Sequence, residues 1–131
     1  MQALKMNDTF IHILKENEIT RSHKRNVKGV CSLSCYHIED PEHTHPHHWE
    51  MHPEGDELLL VAQGEVDVQV VTQTENMENS VPHNPEGQTV TLRGGESFIV
   101  KKGFWHRILL KKETDLLVAG FWEGSKIAPV I

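Results

Sequence analysis

The residues with the greatest chemical capacity lie in Trp49-Glu50-Met51-His52-Pro53-Glu54-Gly55-Asp56-Glu57. Imidazole nitrogens and carboxylate oxygens are donors that divalent metal ions take from proteins. Read as strand, turn and strand, the stretch places Glu50 and His52 two residues apart on one face. Pro53-Glu54-Gly55-Asp56 has turn composition, with Pro suited to the second turn position and Gly able to take positive φ. A hairpin closed by this turn sets His52 opposite Glu57, with Cβ atoms about 4.5–5.5 Å apart across paired strands. One imidazole and two carboxylates then form part of a metal site, and a further group must come from elsewhere. His106 follows the turn at Gly103 and opens a strand, so it is a candidate, although its local pattern does not single it out.

Five more histidines crowd this region: His37, His43, His45, His47 and His48. His43 and His45 precede the strand, with Pro46 intervening, and read as exposed loop residues. His47 falls on the face of Trp49 and Met51. His48 shares the Glu50 face but lies about 13 Å along the strand from His52, which makes it a wall or rim residue. Trp49, Trp105 and Trp122 read as packing aromatics, with Trp105 shaping a pocket rim. Tyr36 and Arg107 are candidates to touch an anionic ligand, although each residue type is more often simply a surface residue.

The elements that must position these groups are mostly short strands. Asn7 to Glu18 reads as a helix, with Asp8 as N-cap and Phe10, Ile11 and Leu14 on one face. Thr20 to Asn26 reads as a loop, and His23-Lys24-Arg25 as a solvated turn. From Val27 the period becomes two. Strands are expected around 30–37, 47–52, 58–62, 66–70, 89–92, 97–100, 106–110 and 115–121, with Gly and Pro turns between them. Residues 72–88 read as a long exposed connection. The apolar tail Ile127 to Ile131 is expected to pack on its own core or on a partner. About eight short strands and one helix predict an all-β antiparallel sandwich or small barrel.

At 131 residues the chain holds one core, and its 37% hydrophobic content leaves much surface. A net charge of −6 opposes a nucleic-acid partner, which requires clustered Lys and Arg. No apolar run reaches membrane-spanning length, and the N-terminus has no apolar signal core, so a cytoplasmic chain without membrane contact is expected. Cys31 and Cys35 lie about 13 Å apart if they share a strand, too far to bridge, and read as free thiols. Neither a nucleophile elbow nor a phosphate-cradling glycine loop is present.

The spacing across residues 27–122 resembles the cupin superfamily. The first family motif is a glycine, five residues, His-x-His, three or four residues, Glu, six residues, Gly. The second is Gly, five residues, Pro-x-Gly, two residues, His, three residues, Asn. His52, Glu57 and Gly64 match the later half of the first, and Gly95, Gly103 and His106 match the second. The departures are Thr44 for the leading glycine, Glu50 for the first histidine, Lys101 for the proline and Leu110 for the asparagine.

The resemblance implies a small antiparallel β-barrel or jelly roll over residues 27–131, with residues 1–26 forming the helix and a linker docked on it. It carries a metal-ligand role to His52, Glu57 and His106, and to Glu50 by position only. It also implies a divalent ion (Zn, Mn, Fe or Ni), a small-molecule ligand and a homodimer. Two functions are compatible with it. One is a metal-dependent enzyme, dioxygenase-like or isomerase-like, with Glu50 as ligand or catalytic base. The other is a non-catalytic binding or sensing module whose metal site is vestigial.

Overall fold

A computed structural model of the chain describes residues 2–72 and 87–130. Among the described residues, eleven strands form two antiparallel sheets. In chain order they are β1 (Phe10–Ile13), β2 (Ile19–Ser22), β3 (Cys31–Ile38), β4 (His48–Met51), β5 (Glu57–Gln63), β6 (Glu65–Val71), β7 (Gly87–Arg93), β8 (Glu96–Val100), β9 (His106–Leu110), β10 (Thr114–Gly120) and β11 (Lys126–Pro129). The six-stranded sheet runs β2-β1-β3-β10-β5-β8, and the five-stranded sheet runs β11-β4-β9-β6-β7. The sheets do not close into one barrel. They face each other as a jelly-roll sandwich whose core takes Leu59 and Val61 from β5, Val66 and Val68 from β6, and Leu116 and Val118 from β10.

Alternation explains β6 well. Val66, Val68 and Val70 point inward, while Glu65, Asp67 and Gln69 face water. There Asp67 accepts from Thr91 at 2.7 Å, and Glu65 pairs with Arg93 at 3.2 Å. Gly64, in the break before β6, has φ of +110°, and a Cβ there would run into Thr114 and the Glu113 carbonyl. Glycine is required at this position by both conformation and space.

The N-terminal helix expected over Asn7–Glu18 is not formed. Phe10–Ile13 is a strand, paired through Ile11 to Leu33 and through Ile13 to Cys31 of β3. Ile19–Ser22, within the expected loop, is its hairpin partner. A 3-10 turn at Lys15–Asn17 joins them, with Glu16 and Asn17 at φ of 66° and 67°. A short isolated helix is marginal, whereas β-branched residues beside an open sheet edge gain a ladder and packing partners. His12 fixes the register, because its Nδ1 meets Ser32 Oγ and its Nε2 meets Ser22 Oγ, both at 2.7 Å.

The tail is also a strand. β11 pairs with β4, which buries Ala128 and leaves Ile127 exposed. Cys31 and Cys35 are free, on the outer side of β3. Of the expected connection over 72–88, residues 73–86 lie outside the described residues, and Gly87 and Gln88 already belong to β7. No helix among the described residues is long and apolar enough to cross a membrane.

His37 of β3 is held among Asp115 at 2.6 Å, Glu113 at 2.7 Å and Glu39 at 3.2 Å. These hydrogen bonds, Asp115 first, raise its pKa from 6.5 to about 9. A raised folded-state pKa stabilises fully below the unfolded value, and the stabilisation is lost as pH rises through the folded one. Urea midpoints of the native chain and His37→Gln, measured from pH 6 to pH 10, should therefore converge as pH passes from about 6.5 to about 9.

Candidate functional site

Glu57 opens β5 in one sheet, while Glu50 and His106 lie directly paired on β4 and β9 of the other. His52 follows β4. The turn Pro53–Asp56 therefore does not close a ladder between β4 and β5, as its spacing suggested. It carries the chain from one sheet to the other. His52 and Glu57 still converge, because the crossing folds them towards the inter-sheet space. His52 Nε2 lies 3.1 Å from Glu57 Oε2 and 3.2 Å from Glu50 Oε1, and His106 Nε2 lies 2.9 Å from Glu57 Oε1. Ligand atoms of Glu50, His52 and His106 all fall within 4.8 Å of one another. The four side chains singled out in the sequence thus meet in one cluster.

Two clamps bring the turns together. Asp56 accepts from Lys101 Nζ at 2.6 Å and from the Lys102 backbone N–H at 2.8 Å, and these bonds hold its carboxyl below its ordinary pKa. The Gly103 N–H donates to the His52 carbonyl at 3.0 Å. Gly55 allows close passage, since a Cβ there would meet the Phe121 ring. The β4–β5 turn is thereby tied to the β8–β9 turn, which delivers His106.

The outer nitrogens of both imidazoles are occupied. Ser125 Oγ donates its one proton to the Trp122 carbonyl at 2.7 Å, so it accepts from His52 Nδ1–H at 2.7 Å. His106 Nδ1–H donates to the Phe104 carbonyl at 3.2 Å. Each Nε2 is left facing the carboxylates, as in sites where a protein acceptor orients a metal-binding histidine. His52, Glu57 and His106 are only 3%, 5% and 2% exposed, whereas the Glu50 side chain is 37% exposed. His52 Nε2 and Glu57 Oε1 are buried without a hydrogen bond of acceptable geometry, despite the short distances to their neighbours. A buried ring nitrogen and a buried carboxylate oxygen left without hydrogen bonds fit a cation as their partner.

Burial pushes the Glu57 carboxyl up, but the His106 and His52 imidazoles outweigh it and hold its pKa down to about 2. Burial lowers the pKa of His106, and the Glu57 carboxylate more than reverses this, leaving it raised. Each partner favours the charged form of the other, and Glu57 is ionised at any physiological pH.

A cavity of about 480 Å3 opens from this cluster between the sheets. Glu50, Glu57 and His106 form its polar end. Leu59, Leu116, Val118 and Ile108 line its walls, with Tyr36, His48 and Ile127 also bordering it. His43 and His45 border it too, although their sequence context marked them only as loop residues. Trp105 does not. It is buried with Trp49, Met51 and Val71 in a second cluster behind the five-stranded sheet, because it alternates with His106. Arg107 bonds Gln69 at 2.7 Å and the Pro46 carbonyl at 2.7 Å and lies over Trp49, which steadies the loop leading into β4.

Two contributors were not anticipated. Arg25, expected in a solvated turn, lies 5.0 Å above the Trp122 ring and 3.8 Å from Glu50. Trp122 in turn meets His52 edge-on at 5.0 Å. Ser125 orients His52 from 73 residues away. No local signal marks either residue, because both act through contacts made by the folded chain.

No protein-family model matches the chain, and no curated protein matches it at the level of sequence. Solved structures do match. Hydroquinone 1,2-dioxygenase from Sphingomonas sp. TTNP3 is 14% identical over 76% of this chain and 64% of its own, with a TM-score of 0.53. An oxalate oxidase is 18% identical over 77% and 45%, with a TM-score of 0.50. Peruvianin-I, a cysteine peptidase from Thevetia peruviana latex, is 13% identical over 78% and 56%, with a TM-score of 0.52. The matches span about half to two thirds of these longer chains. With the motif spacings they show the cupin fold. Three different activities on one fold leave the chemistry to the site.

Asp56→Ala should cost about 0.5–1.5 kcal/mol, the value of charge-assisted bonds in a partly solvated setting, read from urea unfolding. Lys101→Ala should lose less, because the bond from the Lys102 backbone remains.

Proposed function

We propose that the chain is a metal-dependent enzyme acting on a small molecule, with a divalent ion held by His52, Glu57 and His106 and by Glu50 as fourth ligand or base. The observation that carries this reading is the pair of imidazoles. Each has its Nδ1 proton committed to a protein acceptor and its Nε2 aimed at a buried carboxylate. A divalent ion there would supply Lewis-acid polarisation of a substrate oxygen. Zn, Mn, Fe or Ni fits a donor set of two nitrogens and carboxylate oxygens.

The protein's own contribution follows from position. Glu57, buried and ionised, supplies charge and holds both rings. Glu50 is the most exposed of the four and borders the cavity, so its Oε atoms are placed to take a proton from a bound substrate. The ion and two carboxylates sum to zero charge. Arg25 adds one positive charge beside Glu50, and the walls are apolar. A small monoanion with an apolar body suits this cavity, with its charged end towards the cluster and Arg25.

The second reading is a binding module without turnover. The 2.9–3.2 Å contacts favour it, because imidazolium–carboxylate pairs can neutralise the cluster with no ion. Elemental analysis of protein purified without added metal separates the two readings. Near-stoichiometric metal, lost in Glu57→Gln and retained in Glu50→Gln, is the expected outcome. A metal-free native chain with unchanged thermal stability on cation addition would sink the enzyme reading.

Ser125→Ala should weaken metal affinity about 10- to 100-fold through misorientation of His52. Competition with a chromogenic chelator measures this directly.

A further inference from the structure

The histidines crowded ahead of Glu50 separate by what they touch. His37 is held among Asp115, Glu113 and Glu39, His47 lies 3.3 Å from Glu42, and His43 lies 3.9 Å from Asp40. The side chains of His45 and His48 make no hydrogen bond or ion pair among the described residues, and neither does the Tyr36 hydroxyl. All three border the cavity, and they reach it from different elements. Tyr36 comes from β3 of the six-stranded sheet and His48 from β4 of the five-stranded sheet. His45 caps the 3-10 turn Pro41–Thr44 with φ of 53° and ψ of 54°, a left-handed conformation that few residues other than glycine adopt. Its N–H donates to the Glu42 carbonyl at 3.0 Å, and its carbonyl accepts from the His48 N–H at 3.1 Å, so the backbone ties the two free imidazoles to one turn.

The register places these groups away from the acid–imidazole cluster. Tyr36 shares a row with Leu116 and Val61, and Val61 lies four residues along β5 from Glu57, about 13 Å. Leu59 and Val118, paired in the row between, separate the two regions, and Ile108, two residues past His106 on β9, does so on the other sheet. The cavity is therefore polar in two places and apolar between them. Among the described residues, Glu50 and Glu57 are the only carboxylates that border it. The far region offers a phenolic O–H and two imidazoles as donors, with no carboxylate to take them. We propose that Tyr36, His45 and His48 form a second subsite, which binds an oxygen acceptor at the far end of a carboxylate ligand. The proposal deepens the reading above and rests on it for one point, that the ligand's anionic end lies at the cluster and Arg25. With a hydrogen-bond reach of about 2.9 Å at each end, the two polar ends of the ligand lie on the order of 7 Å apart. The ligand class is thus a carboxylate with an apolar chain and a carbonyl, ester or hydroxyl oxygen at the opposite end. Donors placed for that oxygen discriminate against an analogue that lacks it.

Isothermal titration calorimetry of the full chain, as purified and with zinc added, tests this with monomethyl adipate and octanoate. The two probes share a carboxylate and a chain length and differ in the ester oxygens. Tyr36→Phe removes one donor and keeps the ring. His45→Gly removes another at a φ that glycine accepts. Each variant should lower the affinity for monomethyl adipate about three- to tenfold, the value of one hydrogen bond, and leave that for octanoate within about twofold. The proposal is overturned if both probes weaken together, if neither variant moves either probe, or if neither probe binds the native chain. The metal reading is scored separately: a selective loss in a chain that takes up no zinc supports the subsite and counts against the ion alone.

Discussion

The structure depends on one buried carboxylate. Glu57 is 5% exposed and ionised, and an unpaired charge at that depth would be untenable. Its partners, His52 and His106, come from the opposite side of the sandwich. The inter-sheet turn at Pro53–Asp56, the Asp56 clamp on Lys101 and Lys102, and the Gly103 bond to the His52 carbonyl all serve to keep those partners within 3.1 Å. The packing of the two sheets and the geometry of the site are therefore one problem with one solution.

The orientation of the rings extends the same constraint outward. Ser125 and the Phe104 carbonyl take the Nδ1 protons, and Trp122 with Arg25 above it closes one side of His52. The polar cluster at the end of an apolar cavity is thus preorganised. What varies within it is solvent exposure, because the Glu50 side chain is 37% exposed where the other three are almost fully buried. That difference is what sets Glu50 apart from the other three in the proposed function.

The strands at the heart of the sandwich were legible because their hydrophobic period is unambiguous, as in Val66-x-Val68-x-Val70. The N-terminal hairpin was not. Phe10, Ile11 and Leu14 satisfy a helical stripe as easily as an edge strand, and only the open edge of β3, with His12 between Ser22 and Ser32, decides between them. Trp105 was misplaced for a related reason. Its neighbour His106 faces the site, and alternation sends Trp105 to the far side of the sheet.

The sequence by itself singled out the four side chains that cluster. Glu50, His52 and Glu57 are close along the chain, and the second motif spacing joins His106 to them. It also determined the turn glycines, since Gly64 and Gly103 occupy positions where positive φ leaves little choice. Tertiary structure decided how the set is assembled. β4 and β5 turned out to lie in different sheets, so the site spans the sandwich rather than one hairpin. Arg25 and Ser125 joined it from loops that carry no local signal. Spacing encodes which atoms can approach one another through a short chain. Whether distant atoms complete the same site depends on packing between sheets, which no local pattern records.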